Sequence, residues 1–247
     1  MFITLIISLS TAAFAEENIG KILALKGKAV VERDKKKITA KKNQNLFLKD
    51  TVSTMKASRL KMRFVDDSIL TLGESSRVAI KEYIYSKDKG GKSIFNLLDG
   101  KMRSIVGKTK FEIHTPTAVA AARGTIILSE VGRLAGKLFA TFICLEGEVE
   151  VMSADPSIPG KKILTAGMKI TVFEKEPLLE PTKAPPADID KLKKATEMEH
   201  YELSIKRAKP VRGAVKGFDP IRAVGIPPIA QQPGAKTNPV RITLTFQ

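Results

Sequence analysis

The segment Ser58-Arg59-Leu60-Lys61-Met62-Arg63-Phe64-Val65 alternates charged and apolar residues almost without a break. A period of two places Leu60, Met62 and Phe64 on one face of an extended strand and the three cations on the other, a sorting that no helix achieves. Comparable segments recur from residue 19 to residue 173. They include Ala29-Val30-Val31-Glu32-Arg33, Ile69-Leu70-Thr71-Leu72, Val78-Ala79-Ile80, Phe111-Glu112-Ile113-His114, Val149-Glu150-Val151 and Ile170-Thr171-Val172-Phe173. Turn signals separate them at Asp66-Asp67, Gly90-Gly91, Asp99-Gly100 and Pro159-Gly160. Many short strands at close spacing predict an all-β domain over residues 16–175, built as a short-strand β-sandwich or as a β-solenoid-like stack.

A weak internal echo agrees with stacked strands. Leu25-Lys26-Gly27-Lys28, Leu98-Asp99-Gly100-Lys101 and Leu145-Glu146-Gly147-Glu148 share the form Leu-charged-Gly-charged, each just before a strand. Hydrophobic residues make up 43% of the chain, enough for a packed core. With no Trp and 6% aromatics, that core has to come mostly from Val, Ile, Leu and Ala. The single cysteine, Cys144, lies in the apolar run Thr141-Phe142-Ile143-Cys144-Leu145, where a buried inert thiol is expected.

Beyond residue 173 the character changes. Pro177, Pro181, Pro185 and Pro186 mark residues 176–187 as a Pro-rich linker. Residues 188–208 lack Pro and Gly and space Ile189, Leu192, Ala195, Met198, Tyr201 and Ile205 by three or four, which predicts one helix with Asp188 as its N-cap. Residues 209–239 are rich in Pro and Gly and read as an extended tail. In residues 240–247, Val240, Ile242, Leu244 and Phe246 alternate with polar residues, a C-terminal strand able to pair with a sheet edge on its own domain or on a partner.

At the other end, Met1 to Ala15 is a short apolar stretch closing on Ala13-Phe14-Ala15, the small-residue pattern of a signal-peptidase site. It is shorter than the roughly 20 apolar residues that span a bilayer. Residues 1–15 are therefore expected to be a signal peptide, although it lacks the usual basic start, and the mature chain is expected in the periplasm or outside the cell.

Several of these segments resemble the FecR-type domain family. Ile22-Leu23-Ala24-Leu25-Lys26-Gly27-Lys28-Ala29-Val30-Val31 is similar to the family's opening strand pair. Leu46 to Thr54, with Asp50 and Thr54, is similar to its "L..gD.v.T" segment, and Phe64-Val65-Asp66-Asp67-Ser68 to its "F.DGS" turn. Most specific is Thr115-Pro116-Thr117-Ala118-Val119-Ala120-Ala121-Ala122-Arg123-Gly124-Thr125, close to the "TP.A...RGT" signature. The chain departs from the family at two turn glycines, where Asp67 and Gln44 or Asn45 stand instead; Asn and Asp tolerate left-handed geometry. The resemblance implies an exported, non-catalytic β-module. Neither an anti-sigma segment nor a membrane-spanning helix accompanies it in this sequence, so signalling to a sigma factor is not implied.

Formal net charge is +16, from 42 Lys and Arg against 26 Asp and Glu. Such a balance favours anionic partners: acidic polysaccharide, peptidoglycan or an acidic envelope protein, with nucleic acid disfavoured by export. The candidate ligand-binding residues are Arg59, Lys61 and Arg63, about 6.6 Å apart along one strand face, together with Arg123 in its small, apolar surroundings. For Arg123 the competing structural reading is a guanidinium paired with an acid such as Glu112. No cofactor is expected, since the two histidines, His114 and His200, lie far apart and no metal-ligand spacing is present. The function expected is binding or scaffolding in the cell envelope. The alternatives are an envelope-polymer enzyme using Cys144 or Asp66, and a sensor partner of an outer-membrane or signalling complex.

Overall fold

A computed structural model describes residues 17–86, 90–107 and 109–198. Among these are β1 (Gly20–Lys26), β2 (Ala29–Arg33), β3 (Lys36–Thr39), β4 (Asn45–Leu46), β5 (Thr51–Thr54), β6 (Arg59–Phe64), β7 (Ile69–Leu72), β8 (Arg77–Ser86) and β9 (Gly90–Ile105). There follow β10 (Lys110–His114), β11 (Ala118–Ala122), β12 (Ile126–Leu134), β13 (Lys137–Glu146), β14 (Glu148–Ser153), β15 (Lys161–Thr165), β16 (Met168–Phe173), β17 (Thr182–Lys183) and one helix, α1 (Pro186–Thr196).

The strands form two sheets. The first runs β4-β1-β6-β7-β9-β12-β13-β16-β17, using residues 101–105 of β9. The second runs β3-β2-β5-β8-β9-β10-β11-β14-β15, using residues 90–99 of β9. All pairs are antiparallel except β9 with β10. Inward residues of both sheets share one core: Leu60, Met62, Leu70, Met102 and Phe142 from the first meet Val31, Val52, Phe95, Ile113 and Val149 from the second. The strict alternation of β6 is the reason for this, since Leu60, Met62 and Phe64 all point inward and are buried.

The two sheets share a bent chain. It passes between them many times, among others at β1 to β2, β5 to β6, β7 to β8, within β9, and at β11 to β12, β13 to β14 and β15 to β16. Each of these seven corners holds one left-handed residue: Gly27, Ala57, Ser75, Gly100, Gly124, Gly147 and Gly167, with φ between +48° and +87°. The echo seen in the sequence marks three of them. At each, the Gly meets a hydroxyl residue of the neighbouring corner. A Cβ on Gly27 would fall 2.3 Å from Ser58 Oγ, one on Gly100 2.3 Å from Ser76 Oγ, and one on Gly147 2.9 Å from Thr125 Oγ1. The Lys28 and Lys101 amides donate to Ser58 and Ser76 Oγ at 2.9 Å, so the closeness that excludes a side chain also satisfies buried backbone.

Two expectations about the end of this unit are corrected. Residues 176–187 are not simply a linker: β17 adds to β16, and the Ala184 amide donates to Gly167 O at 2.8 Å. The helix spans Pro186–Thr196, with Pro185 at the N-cap and Asp188 in the first turn, where residues 188–208 and an Asp188 cap were expected; residues 199–208 lie outside the described residues. Pro at the first helical position starts it early, because φ is already set and no amide is lost. Glu197 has left helical geometry, with ψ of 139°. The Thr196 hydroxyl bonds back to Leu192 O at 2.8 Å, and a side chain from β6 takes the last carbonyls. The predicted strand residues Val240, Ile242, Leu244 and Phe246, and residues 1–15, lie outside the described residues.

Candidate functional site

The outer face of the first sheet carries the predicted cation row. Arg59, Lys61 and Arg63 do project from the same face of β6, opposite the buried Leu60, Met62 and Phe64. Their roles differ. Arg59 reaches α1: its Nε donates to Ala195 O at 2.8 Å and a terminal nitrogen to Lys194 O at 3.0 Å. These are carbonyls that a helix end leaves without intrahelical partners, and a cation there also meets the negative end of the helix dipole. Arg59 is therefore a docking residue for the helix. Arg63 pairs with Asp67 across the β6–β7 turn, both well exposed. Lys61 stands between them, opposite Ala24 of β1 and Thr71 of β7.

Arg123 is not brought to this row. It is exposed at the corner between β11 and β12. Ile126 there pairs with Ile105, at the far end of the β9 segment that starts beside Arg59's end of β6. The Glu112 carboxylate holds His114 Nε2 at 2.8 Å and Lys92 Nζ at 3.5 Å. Burial pushes the Glu112 carboxyl up, but the His114 hydrogen bond and the charges of Lys92 and His114 outweigh that and hold it below its usual value.

The helix covers an apolar strip that sequence reasoning missed. Leu192 and Ala184 are buried on Leu128 of β12 and Ile143 of β13, with Ile189 and Leu145 at the margin. Ion pairs flank the strip, Lys169 with Asp188 at 2.7 Å and Lys191 with Glu130 at 3.3 Å. Beside the helix a groove of about 370 Å³ remains, floored by Leu134, Phe139, Thr171 and Phe173. The signal was present in the sequence. The run from Phe139 to Leu145 is apolar at nearly every position, as in a strand covered on both faces.

The residues named for catalysis are occupied structurally. Cys144 is fully buried, burial pushes its thiol up, and its sulfur lies 3.4 Å from Glu146 O and Gly147 O. Such a thiol is protonated at neutral pH and out of reach of solvent. The Asp66 carboxylate accepts the Ser68 amide at 3.0 Å, the Ser68 hydroxyl at 2.9 Å and the Thr109 hydroxyl at 2.6 Å. It clasps the β6–β7 turn to the loop after β9, and Asp67 beside it takes φ of +65° in place of the family glycine. The other replaced glycine has its left-handed residue at Asn43, one position before Gln44. A second clasp joins Arg33 to Asp50 through two bonds of 2.7 and 2.8 Å, with the guanidinium 4.1 Å from the Phe47 ring centre. Among the described residues no group of three His, Cys, Asp or Glu is placed to hold a metal ion.

The clasped aspartates, the Asp67 turn and the corner at residues 123–125 all fall within residues 50–150, which match the family model described as FecR protein. Residues 50–150 are similar to the FecR domain. There the signature Arg-Gly-Thr is one corner of the two-sheet fold, with Gly124 left-handed and the Thr125 hydroxyl donating to Arg123 O at 3.0 Å. Two crystal structures of a candidate anti-sigma factor from Parabacteroides distasonis, at 1.65 and 2.50 Å resolution, align with TM-scores of 0.44 and 0.45 at 12% identity. Each alignment covers 56% of this chain and 62% of that one, less than two thirds of its length. No curated protein matches the chain. Among the described residues no helix is long and apolar enough to cross a membrane.

Proposed function

We propose that this chain is an exported regulatory module of the cell envelope that works by holding a partner and not by catalysis. The likeness to the FecR domain over residues 50–150 carries this reading, because that family is regulatory and envelope-associated. The binding surface is the outer face of the first sheet beside α1. Lys61 and Arg63, with Lys21 opposite Arg63 on β1, supply positive charge. The Arg63 pair with Asp67 is an exposed ion pair of the kind worth about 0–1 kcal/mol, so an incoming anion exchanges it at little cost. The groove beside α1, on β12, β13 and β16, supplies apolar contact farther along the same sheet. An acidic envelope protein or an anionic glycan such as peptidoglycan fits this combination. Arg123 offers a separate contact for an anion, three strands across the sheet from Arg63 and at the same end.

Co-sedimentation with purified peptidoglycan and pull-down from envelope extracts, both at low salt, test the surface. Lys61→Glu with Arg63→Glu should lower retention on the true partner roughly tenfold, as expected when several charge contacts are reversed. Unchanged retention on both materials overturns this face as the site. Fractionation of cells making the full chain tests export, and a chain found only in the cytosol overturns the envelope assignment.

A further inference from the structure

The open edge of β8 is independent of that surface. Pairing of β8 with β5 covers Arg77, Val78 and Ala79, and the bonds between Ile80 and Asp50 and between Lys49 and Ile80 extend it by one residue. From there β8 continues for six more residues, paired with β9 as far as Ser86 and Gly90. Among the described residues nothing pairs with the other side of residues 81–86. At about 3.3 Å per residue this is roughly 20 Å of edge whose alternate amides and carbonyls face outward.

Edge strands usually carry charge that blocks further pairing. The outermost strands of the second sheet do so, with Lys36 and Lys37 in β3 and Lys161 and Lys162 in β15. The β8 edge has Lys81 and Glu82 only at its base. Toward the tip it presents Ile84, 61% exposed, and Tyr85, 38% exposed. The arm is held firmly from behind. Tyr83 stacks on Phe64 at 5.6 Å, its hydroxyl lies 3.3 Å from the Asp66 amide, and a Cβ on Gly91 would fall 2.2 Å from Ile84 O. A fixed edge whose outer part is uncharged and partly apolar is a template for strand addition.

We infer that residues 81–86 accept an extended segment of an acidic partner protein as an added strand. A second copy of this chain is disfavoured by net charge, since each copy carries +16. Exposed Lys49 and Lys81 flank the base of the edge and suit carboxylates, while Ile84 and Tyr85, on opposite faces of β8, suit apolar side chains at neighbouring positions of the incoming strand.

The test uses the full exported chain and two eight-residue peptides, one alternating Glu and Val, the other Lys and Val. Hydrogen exchange at residues 81–86 should slow roughly fivefold or more with the Glu-Val peptide and stay unchanged with the Lys-Val peptide. Ile84→Glu with Tyr85→Glu should weaken binding about tenfold at an unchanged urea midpoint, and if that variant misfolds, Ile84→Thr should weaken it severalfold. Protection elsewhere than residues 81–86, or equal protection by both peptides, overturns the inference. So does a dimer in sedimentation velocity that crosslinks through Ile84, or a crosslink from Ile84 to this chain's own remaining residues.

Discussion

Gly100 lies against Ser76 so closely that the hydroxyl accepting the Lys101 amide occupies the space a Cβ on Gly100 would need, 2.3 Å away. Gly124, also left-handed, has nothing within 4 Å of its Cβ position. The two glycines should therefore respond differently. Gly100→Ala combines left-handed strain with overpacking and should cost about 2–5 kcal/mol. Gly124→Ala carries the strain alone, about 1–2 kcal/mol, and Ala57 already adopts φ of +54° at an equivalent corner. Urea midpoints of the two variants check this, and an equal loss contradicts the corner packing.

Arg59→Ala removes two charge-assisted bonds to the end of α1. The expected loss is about 1–2 kcal/mol, concentrated in the helix. Hydrogen exchange should quicken over residues 186–196 while the strands of both sheets keep their protection. Uniform loss across the sheets would show that Arg59 supports β6 instead.

Asp50→Ala leaves Arg33 without its two carboxylate bonds and the Phe47 amide without its acceptor. The Asp50 side chain is fully buried and that of Arg33 is 23% exposed, so a cost of about 3 kcal/mol, near the low end for a broken buried pair, is expected in chemical denaturation. Arg33→Lys, with Asp50 intact, should retain only part of the pair's contribution, because an ammonium cannot reproduce the two parallel bonds or the stacking on Phe47.

The depressed Glu112 carboxyl gives a pH signature. Between its lowered folded value and the ordinary 4.5, the unfolded chain binds more protons, so stability rises with pH there. The contribution is fully present above about pH 4.5 and is lost as pH falls through the folded value. The stability difference between the native chain and Glu112→Gln should shrink below that pH. A difference that grows on acidification would mean that the His114 and Lys92 contacts do not favour the ionised carboxyl.

Local pattern carried much of this. The alternation in β6 assigned Leu60, Met62 and Phe64 to the core, because side-chain direction in a strand is a property of position along the chain. The Leu-charged-Gly-charged echo marked corners, and Asp67 in place of a turn glycine was readable from its tolerance of left-handed geometry. What local pattern left open was partnership between distant segments. Nothing near Arg59 in the chain indicates that residues 194 and 195 end a helix above it, so the cation row read as three equivalent ligands. Nothing near Asp66 indicates that Thr109 closes its clasp. The end of α1 at Thr196 was hidden for the same reason: a stripe of apolar spacing reports propensity, whereas Thr196 and Arg59 decide the stop. Tertiary structure also decided which strand edges are covered, since pairing depends on where β5 ends relative to β8. Side-chain periodicity is encoded residue by residue, but the satisfaction of a helix end, a buried carboxylate or a sheet edge depends on groups brought together only by folding.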